Sequence, residues 1–155
     1  MKRWLVIAAA LLALFAVSAK MTLQLVEGGR AGALPEGTRI SVPSGLELWF
    51  LDRELGVSGD AGQAGEALRA RFRFVAPGIG GNVEDRPSFD VVSADMHELC
   101  NVALTVLTSE GTVGAEQIVI AIAERETEVG SSDPEVVKYF EAFRIDDGIC
   151  TAEVF

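Results

Sequence analysis

An alternation of apolar and basic side chains over residues 68–75 is the clearest pattern in the chain. From 68 to 74 the even-numbered residues are apolar, and the residues between them are Arg69, Arg71 and Arg73. Because successive side chains of a β-strand point to opposite faces, this pattern predicts a half-buried strand. Its polar face would carry a row of three arginines.

Residues 90–104 have apolar positions spaced three and four apart, which is the period of a helix with one buried face. The members of this apolar stripe are Val92, Met96, Leu99, Cys100, Ala103 and Leu107. Asp90 or Ser93 can cap the start of the helix by accepting hydrogen bonds from its first free N–H groups. The end of the helix stays open, because residues 102–107 are also typical of a strand.

Three further segments have the character of strands. Residues 40–43 contain a proline, which restricts them to the edge of a sheet, and residues 46–51 follow after a turn. Residues 118–123 are apolar on both faces, which predicts a strand that is central or covered on both sides. We interpret residues 57–66 and 77–87, which are rich in small residues, as loops.

A hairpin is expected at the end of the chain, because Asp147-Gly148 separates two strand-like runs and suits a tight turn with positive φ. This turn sets the register of the two strands. The expected partners are Asp146 with Ile149, Ile145 with Cys150, Phe143 with Ala152, and Glu141 with Val154. One face of the hairpin is mainly apolar and is expected to point at the core. Its members are Phe143, Ile145, Cys150, Ala152 and Val154.

Together these elements predict a single α+β domain over residues 39–155. Its sheet is mainly antiparallel, its principal helix packs on one face of that sheet, and the C-terminal β-hairpin completes it.

Residues 1–19 have the parts of a secretory signal peptide: a basic start, an apolar run over 5–17, and small residues before a cleavage expected after Ala19. The apolar run is short for a membrane span, which needs about 20 residues. An uncleaved anchor is the alternative, because Lys20 can snorkel and let the apolar stretch lengthen. Residues 20–38 are expected to form a flexible tether. The protein is thus expected to be periplasmic or secreted, or alternatively anchored in the inner membrane.

The chain is strongly acidic, with 13 basic and 23 acidic residues and a net charge of −10. Lys2 and Arg3 belong to the leader, so the remainder has 11 basic residues and a net charge of −12. Such a surface repels nucleic acid and anionic lipid headgroups. We therefore expect no nucleic acid partner, and membrane contact only through an uncleaved leader. Residues 78–81 match neither a phosphate loop nor a dinucleotide fingerprint, and no cofactor is expected.

Cys100 and Cys150 are the two cysteines of the chain. In an exported protein they are expected to form one disulfide. The helical stripe and the hairpin register direct both thiols to the same interior, which agrees with this pairing. Two free thiols or a metal site are the alternatives.

Several segments have a recognisable pattern: SVPSGL at 41–46, RFRFVAP at 71–77, LC at 99–100, and FEAFRIDDG at 140–148 with Cys150. In these segments the chain resembles a family of small exported proteins, mostly alphaproteobacterial, that is catalogued as a domain of unknown function. The resemblance implies a Gram-negative periplasm. It implies no activity, cofactor or site residue.

His97 is the only histidine, so a catalytic triad would need it, yet no Gly-x-Ser-x-Gly motif accompanies it. We interpret it as a residue on the flank of the helix. Met96, His97 and Cys100 have side chains that suit copper, but they are too few for a closed site, and a metal would compete with the disulfide. We assign no catalytic residue and no metal ligand.

The arginine row has two interpretations. In one, Arg69, Arg71 and Arg73 form a docking stripe for an acidic partner or an anionic ligand. In the other, which we favour, acidic side chains beyond a neighbouring strand pair with the row. The expected source of these acids is Glu124, Glu126 and Glu128.

The function expected from these observations is a non-enzymatic periplasmic module that binds another protein or serves an envelope complex. One alternative is a small periplasmic hydrolase that uses carboxylates and His97. The other is a small-molecule-binding protein that uses the region of Trp49 and Phe72.

Overall fold

The computed structural model describes residues 34–58, 67–112, 114–130 and 133–153. The expected signal peptide, most of the expected tether and the last two residues of the hairpin lie outside these ranges. The strands are β1 (Arg39–Ile40), β2 (Leu48–Ser58), β3 (Ala67–Val75), β4 (Ala115–Ala123), β5 (Lys138–Asp146) and β6 (Ile149–Ala152). The helix α1 spans Phe89–Ser109, and two short 3-10 turns, Pro77–Ile79 and Val83–Asp85, precede it.

The six strands form one sheet in the order β1-β2-β3-β4-β5-β6. Neighbouring strands run antiparallel except β3 and β4, which are parallel. Parallel neighbours need a long crossover connection, and α1 lies within it. The expected α+β fold with a mainly antiparallel sheet, one principal helix and a C-terminal hairpin is thus confirmed.

One face of the sheet, which we call the inner face, packs against α1 and holds the core. The fully buried side chains from the strands include Phe72, Phe74, Ile118, Ile120, Ile122 and Phe143. All six residues of the predicted helical stripe are buried with them. The opposite face, which we call the outer face, carries the arginine row of β3.

The helix is longer than predicted at both ends. Ser88 is its N-cap residue, so the prediction of Asp90 or Ser93 in that role was wrong, and the Ser93 hydroxyl donates to Glu141 at 2.9 Å instead. Residues 102–107 are helical. Two threonines in this part donate their hydroxyls to carbonyls one turn earlier, Thr105 to Asn101 at 2.9 Å and Thr108 to Leu104 at 2.8 Å.

β2 is the largest departure from the sequence-based prediction. It extends to Ser58, whereas a loop was expected from residue 57. Gly56 pairs with Arg69 and Val57 with Leu68, so the ladder with β3 continues through the glycine. Pairing with a strong neighbouring strand outweighs the low strand propensity of glycine here.

The C-terminal hairpin has the predicted register, with Asp146 opposite Ile149 and Ile145 opposite Cys150. Both turn residues have positive φ, 51° at Asp147 and 78° at Gly148. Ala152 is opposite Phe143 as expected but is exposed, because β6 ends at the edge of the sheet.

A disulfide joins Cys100 of α1 to Cys150 of β6, with the sulfur atoms 2.06 Å apart. It links the helix to the last strand of the sheet, as the two sequence patterns indicated.

Candidate functional site: the outer face of the sheet

The arginine row occupies the middle of the outer face, and the acids opposite it come from β2. The register places Asp52 opposite Arg73, Glu54 opposite Arg71, and Gly56 opposite Arg69. The expectation that residues 124, 126 and 128 supply the partners was wrong. It failed because the strand with the alternating acids was assigned too short a length.

Arg73 is the most firmly held of the three. Its Nε donates to Asp52 at 2.6 Å, a second nitrogen bonds the other oxygen of the same carboxylate, and Nη1 donates to the Thr127 carbonyl at 2.8 Å. The hydrogen bond to Asp52 is the main cause that raises the pKa of Arg73 above its ordinary value, and Glu54 and Glu126 add to it through their charges. Such bidentate pairing fixes the orientation of a guanidinium.

Arg71 is held more loosely. Its nearest carboxylate oxygen, on Glu54, is 3.8 Å away, and both side chains are 41% exposed. An exposed pair at this distance contributes little to folding. The Arg71 guanidinium is therefore available for a further carboxylate.

Arg69 has no counter-ion among the described residues. Within the described ranges it makes no hydrogen bond and no ion pair, and its Nε is buried without a partner. Gly56, which lies opposite, has no side chain to offer. On the other side Arg69 lies beside Gln117 of β4, whose Oε1 is also buried and without a partner.

A groove of about 280 Å³ lies on the outer face beside Arg71 and Arg73, and we call it the outer groove. Its floor is apolar and is formed by Val119, Ala121 and Ala123 of β4. Phe140 of β5 also lines it and is 72% exposed.

The segment of residues 125–130 lines another side of the outer groove. The hydrogen bond from Arg73 to the Thr127 carbonyl ties this segment to the sheet. Arg125 and Lys138 also line the groove, and Glu128 is an acid among the lining residues. Apolar surface and guanidinium groups therefore meet in one concave site.

His97 lies on the other side of the molecule, exposed on α1. Its Nε2 is 3.1 Å from the Cys150 carbonyl oxygen, and its ring stacks edge-on against Phe143 at 5.8 Å. In the described part of the chain no hydrogen bond joins His97 to a serine or to a carboxylate. The geometry therefore places it on the flank of the helix, as interpreted from the sequence.

The copper alternative loses its thiolate, because the sulfur of Cys100 is bonded to Cys150. Over the residues described, no three His, Cys, Asp or Glu side chains are grouped closely enough to hold a metal ion.

Sequence reasoning missed Asp95, which is fully buried on α1. Its two oxygens accept hydrogen bonds from the backbone N–H of Ser44 at 3.0 Å and from the Ser44 hydroxyl at 2.5 Å. The carboxylate therefore holds the turn between β1 and β2 against the helix. An acid among the apolar positions of the helix was the signal that would have revealed it.

The region of Trp49 and Phe72 does not form one site. Phe72 is fully buried in the core, whereas Trp49 is half-buried and lines a shallow cleft with Glu36. The Arg39 guanidinium lies 5.8 Å from the centre of the Trp49 ring.

The fold and site define a small α+β module whose sheet is covered by a helix on one face and carries charged and apolar groups on the other. The chain matches the model of a family of unknown function, DUF6497, over residues 17–155, and the protein belongs to that family. No curated protein and no solved structure matches it. None of the helices in the described ranges has the length and hydropathy to cross a membrane.

Proposed function

We propose that this protein is an exported, non-enzymatic module that binds another envelope protein through the outer groove. The observation that carries the proposal is the conjunction of an exposed aromatic ring, an apolar floor and a loosely held arginine in one concave site. Aromatic residues and arginine are the types most enriched where binding energy concentrates in protein interfaces.

Export is supported by the leader-like pattern of residues 1–19 and by the disulfide, which is compatible with an oxidising compartment. The resemblance to exported alphaproteobacterial proteins favours a Gram-negative periplasm. The acidic balance of the chain argues against nucleic acid as the partner.

The chemistry of the groove indicates what the partner presents. Apolar side chains would cover the floor at Val119 and Ala121 and contact the ring of Phe140. A carboxylate next to them would approach Arg71, whose own pair with Glu54 is too long to satisfy it. The partner is therefore a protein segment with an apolar residue beside an acidic one.

The test compares four forms of the protein as bait in its own host, followed by binding measurements with the partner that the wild type retains. Arg71→Glu reverses the loosely held charge, and Phe140→Ser removes the exposed ring. Arg144→Glu is the matched control, because Arg144 is an exposed arginine of β5 outside the groove, paired with Asp146 at 2.7 Å.

We expect the wild type and Arg144→Glu to retain the same partner, and the two groove variants to bind it about tenfold or more weakly. Equal retention of the partner by all four forms would mean that the outer groove does not bind it. If Arg71→Glu alone changes nothing, reversing Arg69 and Arg73 as well decides whether the arginine row takes part.

A further inference from the structure

We propose that the protein forms a two-fold symmetric dimer in which β2 pairs antiparallel with β2 of a second copy, and Glu54 of each copy reaches Arg69 of the other. This proposal is independent of the outer groove. It concerns the edge of the sheet and Arg69, which has no counter-ion in the part of the chain that the structure describes.

The edge of β2 is open over most of its length. β1 pairs with it at Leu48 and Trp49, and the residues just before β1 bond to Phe50. Among the described residues no strand pairs with β2 on that side beyond Phe50. Leu55 is 49% exposed and Val57 is 61% exposed. An edge with unpaired backbone groups and apolar side chains is a template for another strand, and this one has neither a proline nor a lysine to block it.

The hydrogen-bonding direction of the edge can be followed from Phe50. Its N–H donates to the Thr38 carbonyl at 2.9 Å and its carbonyl accepts from Gly37 at 2.8 Å, so Phe50 faces the edge. A one-residue register shift follows between Phe50 and Asp52. The alternation of an antiparallel ladder then directs the backbone groups of Arg53, Leu55 and Val57 to the open edge. When β2 pairs with β2 of a second copy, these three residues must lie opposite one another, because only their backbone groups point to the open edge.

Charge selects one register. With the two-fold axis at Leu55, the two leucines face each other, Arg53 faces Val57, and Glu54 faces Gly56. An axis at Glu54 would place two glutamates opposite each other, which is unfavourable. An axis at Gly56 would place the two glycines opposite each other and leave Arg69 without a carboxylate.

The register with its axis at Leu55 would supply Arg69 with a carboxylate. Glu54 of the second copy would lie two strands away, with only Gly56 between, so the two Cα atoms are about 10 Å apart by ordinary strand spacings. Nothing lies within 4 Å of the position that a Cβ of Gly56 would take, so the space over the glycine is open. An extended arginine and a glutamate can meet across it.

The glycine itself supports this interpretation. Gly56 is not among the residues with positive φ, so its backbone does not require glycine. A side chain there would fill the space through which Arg69 reaches the neighbouring strand.

The first experiment tests the register with cysteine cross-links in the protein purified from the envelope of bacteria that express the full chain. In Leu55→Cys the two new cysteines would be about 5.5 Å apart between Cα atoms, within the range of a disulfide. In Val57→Cys, the matched exposed control, the two Cα atoms would be about 14 Å apart. We expect a covalent dimer from the first variant only. Equal cross-linking of both, or of neither, would overturn the proposal.

The second experiment measures the mass of the wild type and of Gly56→Glu by sedimentation. The new glutamate would pair with Arg69 of its own chain and would face Glu54 of the second copy. We expect a dimeric wild type, and a variant whose dimer is weakened about tenfold or more while its melting temperature is equal or higher.

A wild type that stays monomeric at the highest attainable concentration would contradict the proposal. A monomer that pairs with an extended segment of a different protein at this edge would contradict it too. Neither Leu55→Cys nor Gly56→Glu alters a residue that lines the outer groove, so both should retain the partner of the proposed function. Failure of the dimer and failure of the groove are therefore distinguishable.

Discussion

The inner and outer faces of the sheet come from the same strands but are built on different principles. Phe72 is fully buried against the core, whereas its neighbours Arg71 and Arg73 lie on the outer face and pair with acids of β2. Burial of apolar surface stabilises the inner face, because each large side chain removed from water contributes about 1.5–3 kcal/mol. The outer face gains little from its exposed ion pairs.

This difference separates stability from recognition. Substitutions on the inner face should change the free energy of unfolding and leave binding intact, and substitutions on the outer face should do the reverse. The stability of the following variants tests that separation.

Removal of the disulfide should have the largest effect on the inner side. Cys100 and Cys150 are separated by 50 residues. For a loop of that length the chain-entropy model gives about 4 kcal/mol of stabilisation. The double variant Cys100→Ala, Cys150→Ala should lose about that much in denaturant unfolding. A loss below about 1 kcal/mol would contradict the chain-entropy explanation for this bond.

Ile120 and Val119 are successive residues of β4 on opposite faces, and they give the next largest contrast. Ile120 is fully buried, so Ile120→Ala should cost about 2–5 kcal/mol through lost burial and the cavity that remains. Val119 is half-buried on the floor of the outer groove, so Val119→Ala should cost about 1 kcal/mol. Thermal or urea unfolding measures both. Equal losses would show that the outer face also carries core packing.

The same separation explains what the sequence could and could not predict. Three features could be predicted because each depends on a local pattern: the alternation around Phe72, the apolar stripe on α1, and the turn at Asp147-Gly148. The structure has all three. The partners of Arg71 and Arg73 depend on which strand pairs with β3, and that is a non-local choice. The second strand was predicted to end at residue 51, whereas β2 continues to Ser58, so the acids at positions 52 and 54 were not recognised as partners.

The parallel pairing of β3 with β4 could not be predicted from local patterns either, because the sequence of a strand does not indicate the direction of its neighbour. Asp95 was missed for a different reason. A buried acid is stable only with hydrogen-bond donors around it, and its donors come from Ser44, 51 residues earlier in the chain.

Asp95 is a polar exception on the inner side, and its removal should have an intermediate effect. Asp95→Ala would leave the Ser44 N–H without its acceptor, at a cost of about 2 kcal/mol. Asp95→Asn keeps one carbonyl oxygen as an acceptor and should lose about half as much. Chemical denaturation of the two variants provides the measurement. Identical losses for alanine and asparagine would mean that the charge of the carboxylate, rather than its hydrogen bonds, matters.

The smallest effects, and the finest test of the comparison, come from within the arginine row. Arg73 bonds both oxygens of Asp52 and the Thr127 carbonyl, so Arg73→Gln should destabilise the fold by about 1 kcal/mol and loosen residues 125–130. Arg71 has one exposed contact at 3.8 Å, so Arg71→Gln should change stability by less than about 0.5 kcal/mol. Unfolding midpoints compare the two variants, and hydrogen exchange of residues 125–130 reports the loosening.

These results would give the two neighbouring arginines different roles. Arg73 would hold the wall of the outer groove, and Arg71 would be free to bind a partner. If Arg71→Gln destabilises the protein as much as Arg73→Gln, the row is structural throughout, and the outer face loses the arginine on which its proposed function depends.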